Sequence, residues 1–155
     1  MDELDLQTLS AWSEEMYDFV MTIMDHMKKP HDYGTGVVLN MVEMHTLALI
    51  ADHPGISVGE VAKQWKRTMS AASRNVDRLE AKGYIEKKRL NGNAKTIHLF
   101  ATPEGQILAE KHREFDEREL KLFAQFIGQR CSWDDLQRFN HVMKIIQEFY
   151  VSQFD

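Results

Sequence analysis

The sequence predicts a mainly α-helical chain with a small β-wing. Residues 57–83, SVGEVAKQWKRTMSAASRNVDRLEAKG, read as two short helices around a tight turn. Asn91-Gly92, a strong two-residue hairpin signal, lies between the strand-like runs YIEKKRL and KTIHLFA. On either side of this segment, apolar residues recur at three- and four-residue spacing, the period of amphipathic helices.

Residues 5–29 form the first predicted helix. Leu9, Trp12, Met16, Phe19, Ile23 and Met27 make its stripe, and Pro30 stops it. A stripe this long and apolar must be buried against something. Residues 31–39, with Pro30 before them and Gly34 and Gly36 within, read as a loop. Asn40 with Glu43 forms a capping box for a helix through Leu47 and Ile50 that ends near His53-Pro54-Gly55. Ser57 with Glu60 is a second capping box, and Ile56 with Val61 a hydrophobic staple. Val61, Ala62 and Trp65 give that short helix its apolar face; Lys66 and Arg67 make the turn, and Thr68 caps the next helix.

In the second helix of the pair, Ala72, Val76 and Leu79 point one way. At roughly 100° per residue, Ser70, Ser73, Arg74, Asp77 and Arg78 point the other way. Gly83 ends the helix as a left-handed cap. Beyond it, Ile85 and Leu90 frame a charged strand, and Ile97, Leu99 and Ala101 alternate inward on the return strand. Thr102-Pro103 opens a long helix carrying Leu108, Phe115, Leu122 and Phe126 as far as Gly128. Ser132 caps a last helix with Leu136, Phe139, Met143, Ile146 and Tyr150 at helical spacing.

Charge is segregated along this pattern. The net charge is −5, yet residues 63–95 hold ten Lys/Arg and three acids, a local +7. The remaining residues hold nine bases and 21 acids, a local −12. Such a split concentrates a positive field on one segment and repels a polyanion elsewhere. A small-polar and arginine face on the second helix is what entry into a DNA major groove requires. Serines let the helix lie deep, and an arginine can donate two hydrogen bonds to guanine or clamp a phosphate. Thr68, Ser70, Ser73, Arg74 and Arg78 are therefore the expected base-facing residues. Ser57, Lys63, Lys66, Arg67, Lys88, Arg89, Asn93 and Lys95 are the expected phosphate and wing contacts. Lysines on a wing strand also protect a sheet edge, and that plainer reading stands beside the DNA one.

At 155 residues the chain suits one domain with helical extensions. It has no apolar run of the roughly 18 residues a membrane span needs, and its acidic start, MDELDLQ, lacks a signal core. Cys131 is alone, so no intrachain disulfide or cysteine-based zinc site forms, and a reducing cytoplasm is expected. No Gly-rich phosphate loop or GxSxG motif is present, so neither catalysis nor a cofactor is expected. A winged helix needs only residues 40–102; residues 1–30 and 103–155 add three striped helices, more than a small domain needs to cover itself. A homodimer joined by interdigitating terminal helices explains them. Two-fold symmetry then sets two recognition helices about 34 Å apart, one DNA turn.

These residues resemble the MarR family of bacterial transcription regulators across nearly the whole chain, most sharply from Ile56 to Gly105. ISVGEVAKQWKRTMSAASRNVDRLEAKGYIEKK looks like the family's helix-turn-helix and first wing strand. Ser73-Arg74, Asp77-Arg78-Leu79, Lys82-Gly83-Tyr84-Ile85 and Thr102-Pro103-Glu104-Gly105 fall where the family pattern puts them. The resemblance implies one MarR-like domain over residues 1–155, a winged helix-turn-helix with long dimerisation helices. It implies a homodimer that binds a pseudo-palindromic operator in double-stranded DNA, usually as a repressor released by a small ligand, an oxidant or a metal. Two positions depart from the pattern. Asn93-Ala94-Lys95 stands where the family commonly has Asp-x-Arg at the wing tip, which loses the ionic brace and the planar fork. Lys66-Arg67 replaces a small and an apolar residue in the turn.

Three further groups carry open alternatives. Trp12, Tyr17, Met24, Met44, His45 and Phe115 suit either an aromatic effector pocket or plain core and dimer packing. His45, His112 and Asp116, the last pair one helical turn apart, suit zinc or manganese sensing or ordinary hydrogen-bonded histidines. Cys131 beside Arg130 suits an oxidant sensor or a structural loop cysteine. The alternative to a DNA-binding regulator is a winged helix that binds protein; such a module has no need of the local +7.

Overall fold

The computed structural model describes residues 5–89 and 96–153. Its elements are α1 (Leu6–Lys28), β1 (Pro30–Asp32), β2 (Val38–Asn40), α2 (Met41–Asp52), β3 (Ile56–Ser57), α3 (Val58–Gln64), α4 (Met69–Ala81), β4 (Ile85–Lys88), β5 (His98–Ala101), α5 (Pro103–Gly128) and α6 (Trp133–Ser152). The fold is mainly helical with a small antiparallel wing, as the sequence predicts. Contacts divide it into two units that meet at Arg113 and Glu114, within α5. Among the described residues, no helix is long and apolar enough to cross a membrane.

In the first unit, α1 starts where the Asp5 side chain accepts from the backbone N–H of Gln7 and Thr8. Not one α1 residue is buried: Trp12 is 56% exposed and Phe19 52%. The stripe that must be covered is uncovered within one chain. Between α1 and α2 the expected loop is instead an antiparallel hairpin, β1 with β2, in register Pro30↔Asn40. Asp32 Oδ1 ties its turn by accepting from the N–H of Gly34 (2.8 Å), Thr35 (3.0 Å) and Gly36 (3.0 Å). Gly34 and Gly36 take φ of 87° and 73°, left-handed values open to glycine. Three-residue strands are too short for alternation to register in sequence.

The core joins α2 (Met44, Leu47, Ile50), α3 (Val61, Ala62), α4 (Ala72, Val76, Leu79), the sheet (Ile85, Leu99) and the start of α5 (Leu108, Ala109). The Ser57–Glu60 capping box forms in full, with Ser57 N–H donating to Glu60 Oε2 (2.8 Å) and Glu60 N–H to Ser57 Oγ (3.2 Å). The Asn40–Glu43 box forms by half. Asn40 Oδ1 accepts from Glu43 N–H at 2.9 Å, but the Glu43 carboxylate goes elsewhere. Trp65 leaves the apolar face assigned to it: it is the C-cap of α3 and is exposed. Lys66 then takes φ 48°, the sole non-glycine positive φ among the described residues, which reverses the chain into α4.

The wing sheet has three strands rather than two, in order β3-β5-β4, all antiparallel. β3 is only Ile56–Ser57, and its second residue doubles as a helix cap, so its strand character is masked. A compact junction fixes the sheet's base. Thr102 N–H donates to Tyr84 O (3.0 Å), Thr102 Oγ1 donates to Gly83 O (2.8 Å), and Gly105 N–H donates to Thr102 Oγ1 (3.1 Å). The ends of α4 and β5 and the starts of β4 and α5 meet there.

In the second unit, α6 opens with a complete Ser132–Asp135 capping box. It buries no residue, and Phe123, Phe126, Trp133, Phe139 and Phe149 are exposed. Arg130 lies over the Phe126 ring, 3.8 Å from its centroid.

Candidate nucleic-acid interface

The α3–turn–α4 segment is held from within by its buried faces, which leaves the opposite face of α4 outward. A groove of about 580 Å³ runs between the start of α3, the start of α4 and the residues leading into β5. Ser57, Ser70 and Ser73 line it together with Thr96 and Ile97. Three side chains chosen from sequence thus share one groove with the root of the wing. Thr68 caps α4, its Oγ1 accepting from Ala71 N–H at 3.3 Å. Ser73 Oγ donates to Asp77 Oδ2 at 3.4 Å.

The basic residues of this segment sort into two groups. Arg78 Nε donates to Glu43 Oε1 (3.1 Å), and Arg78 also donates to Asn75 Oδ1. Lys82 Nζ donates to Glu43 Oε2 at 2.9 Å. Lys87 pairs with Asp77 (2.5 Å) and Glu80 (2.7 Å), tying β4 to α4. Lys88 pairs with Glu86 (2.7 Å) and sits over the Phe100 ring at 5.3 Å. By contrast Lys63, Lys66, Arg67, Arg74 and Arg89 are exposed and make no ion pair among the described residues. Arg74 is the one cation on the outer face of α4 in that free group. Asn93 and Lys95, with the Asn91-Gly92 turn, lie outside the described residues.

The Lys87 bridge perturbs both partners. The hydrogen bond from Lys87 holds the Asp77 carboxyl below the ordinary Asp value, against a smaller opposing effect of burial. For Lys87, burial pulls downward, but the hydrogen bonds and charges of Asp77 and Glu80 together outweigh it and raise the ammonium above its usual value.

A second feature lies behind the helix-turn-helix. A pocket of about 100 Å³ opens at its elbow, where Met27, Val42, His45, Trp65, Arg67 and Asn75 are among the lining residues. Of the residues expected to form an effector pocket, only His45 lines it. Met44 is fully buried in the core, Trp12, Tyr17 and Met24 are exposed on α1, and Phe115 belongs to the second unit. His45 also neighbours Trp65 (ring centroids 5.9 Å) and His112 (4.9 Å), and Tyr33 meets His112 edge-on at 5.1 Å. Asp116 follows one turn after His112 on α5. Cys131 is half-buried between α5 and α6.

Glu43, Asn75 and Tyr33 are absent from the sequence-derived site. Glu43 carries a signal, an acid in the first turn of an apolar helix, but capping explains that pattern equally well. Tyr33 lies in a stretch that reads as a loop, which conceals its burial.

The MarR family model matches residues 39–97. Streptococcus pneumoniae FabT in complex with DNA is similar in fold, with TM-score 0.64, 21% identity, and 96% of this chain and 99% of that chain covered. Lactococcus lactis ZitR, a zinc-responsive MarR family member, has TM-score 0.69, 16% identity, and 92% and 99% of the two chains covered. A further MarR family transcription regulator has TM-score 0.72, 17% identity, and 94% and 92% covered. No curated protein matches the chain significantly.

Proposed function

We propose, from the match of residues 39–97 to the MarR family model and the winged helix-turn-helix described above, a DNA-binding transcription regulator rather than an enzyme: a homodimeric, ligand-responsive repressor of a pseudo-palindromic operator. In this reading residues 1–155 act as one functional domain, with the winged core at 40–102 and dimerisation helices at 1–30 and 103–155. The observation that carries DNA contact is the free Arg74 on α4, beside a serine-lined groove that leads to the wing. Arg74, Ser70 and Ser73 face bases. Lys63, Lys66, Arg67 and Arg89 hold phosphates, and Lys88 contributes in part because Glu86 already shares its charge. The uncovered stripes of α1 and α6 support dimerisation, since faces this apolar are buried in a stable protein. The elbow pocket supports a small organic effector. Its volume of about 100 Å³ far exceeds the ~10–15 Å³ that one water requires. Asn75 lines the pocket and also accepts from Arg78, so a ligand there bears directly on α4. The protein is expected to work in the cytoplasm.

The test is binding to a duplex enriched by the protein from a random pool, measured across a salt series. Each phosphate neutralised contributes about −0.9 to the log–log slope, so three to five free cations per subunit predict a dimer slope of roughly −5 to −9. A flat salt response, or a monomer by sedimentation at binding concentrations, would overturn the reading.

A second reading, metal-responsive regulation, is favoured by the adjacent His45 and His112 rings. Two imidazoles with the Asp116 carboxylate one turn on suit zinc or manganese. His45 and His112 would supply ligands to the ion, and an ion there would hold α2 against the first turns of α5 next to the elbow. Operator affinity that is unmoved by micromolar zinc or manganese, in metal-stripped protein, removes this reading.

A further inference from the structure

Among the described residues one carboxylate is buried, that of Glu43, 4% exposed, in the first turn of α2. A carboxylate in that position is costly without partners. Each of its oxygens has one, Arg78 on Oε1 and Lys82 on Oε2. Both cations come from the C-terminal turn and C-cap of α4, four residues apart. On its inner face α4 buries the apolar Ala72, Val76 and Leu79. Apolar packing alone is non-directional and tolerates small rotations and slips of a helix. Two charge-assisted hydrogen bonds to one fixed carboxylate do not, because each has a preferred direction as well as a distance.

We propose that Glu43 is a positioning residue that determines DNA specificity. It fixes the rotation of α4 against α2 and withholds Arg78 and Lys82 from phosphates, so that Arg74 is left as the base-reading cation. The inference rests on the DNA-binding reading and adds to it a division of labour among the α4 cations. The consequence is particular. Loss of the clamp does not merely weaken binding; it frees two cations per subunit for non-specific phosphate contact.

The experiment compares wild type with Glu43→Gln, a near-isosteric change that leaves the Asn40 cap intact because that bond uses the Glu43 backbone. Two duplexes serve as probes: the one enriched by wild type from a random pool, and a scrambled duplex of equal composition. Glu43→Gln is expected to lower the enriched-to-scrambled affinity ratio about tenfold and to steepen the salt slope on scrambled DNA. The four freed cations of a dimer correspond to at most about 3.6 in that slope. The triple variant Glu43→Gln, Arg78→Gln, Lys82→Gln returns the slope to the wild-type value without restoring the ratio. Parallel loss on both duplexes at the wild-type slope would mean a merely structural role and overturn the proposal. Arg78→Gln in the native background gives an independent reading should Glu43→Gln unfold. It is expected to lower the ratio with the slope unchanged, whereas a slope made shallower by about 0.9 per subunit marks Arg78 as a phosphate contact and overturns the proposal. Absence of salt-dependent duplex binding by wild type would sink the DNA-binding reading itself, which distinguishes that failure from this one.

Discussion

Gly105→Ala tests how tightly the wing's base is built. Gly105 lies in the first turn of α5 and is buried. A Cβ there would sit 2.0 Å from Tyr84 O, 3.0 Å from Tyr84 C and 3.3 Å from Leu47 Cδ1. Ordinary contact begins at 3.4 Å, so the helix and the Tyr84 carbonyl must separate by 1.4 Å. That carbonyl accepts from Thr102 N–H at 3.0 Å, a bond the separation breaks or lengthens. Overpacking against backbone costs about 1–3 kcal/mol, and the strained hydrogen bond adds about 1 kcal/mol. The better helix propensity of alanine returns up to about 1 kcal/mol. The net expectation is a loss of about 2 kcal/mol, a fall in Tm of roughly 4–8 °C for a chain of this length. Gly128→Ala is the control. It has no atom within 4 Å of the added Cβ, and its φ is not positive, so it should be neutral or stabilising by up to about 1 kcal/mol. Thermal and urea unfolding of the three proteins decide the matter. Gly105→Ala melting within a degree of wild type would show that the Tyr84 carbonyl yields freely and that the junction is not rigid.

Arg74→Ala should cost about 1–3 kcal/mol on the enriched duplex and much less on a scrambled one; equal loss on both would demote it to a phosphate contact. Arg89→Ala should weaken binding to every duplex alike and make the salt slope shallower by about 0.9 per subunit, and a sequence-dependent loss would contradict a phosphate role. Lys87→Met should lower stability at pH 7 by about 0.2–1 kcal/mol, small because Asp77 and Glu80 are largely exposed. The depressed Asp77 value means this contribution is present above the ordinary Asp value of 3.8 and is lost as pH falls through the lower folded value. The raised Lys87 value means it is also lost as pH rises from 10.5 through the higher folded value. The Cm difference between Lys87→Met and wild type should therefore be constant from about pH 5 to 10 and shrink below the Asp range. A difference that persists undiminished in acid would assign the effect to packing.

Much of the site was legible because its causes are local. A cap needs a serine and a glutamate three residues apart, and a helix face needs a period, so Ser57, Ala72, Val76 and Leu79 could be placed from the chain alone. Ser70 and Ser73 of the groove follow from the same period. The small strands were not legible. β1, β2 and β3 have two or three residues each, too few to alternate, and they exist because Asn40, Leu99 and His98 lie opposite them. Trp65 departs from the expected apolar face because α3 ends at Gln64 and leaves it as the C-cap, just before the left-handed turn at Lys66.

By itself the sequence determined the helices, most of their caps, the two longer wing strands and the concentration of positive charge on one segment. It could not determine which of those charges are free. Arg74 and Arg78 are the same residue type on the same helix face, one turn apart, and no local rule separates them. Their difference comes from Glu43, 35 residues earlier, which the packing of α2 on α4 brings within 3.1 Å of Arg78. An ion pair of that kind is a property of distance in space. Only the tertiary structure decided it, because the buried carboxylate is stabilised by cations that chain order does not bring near.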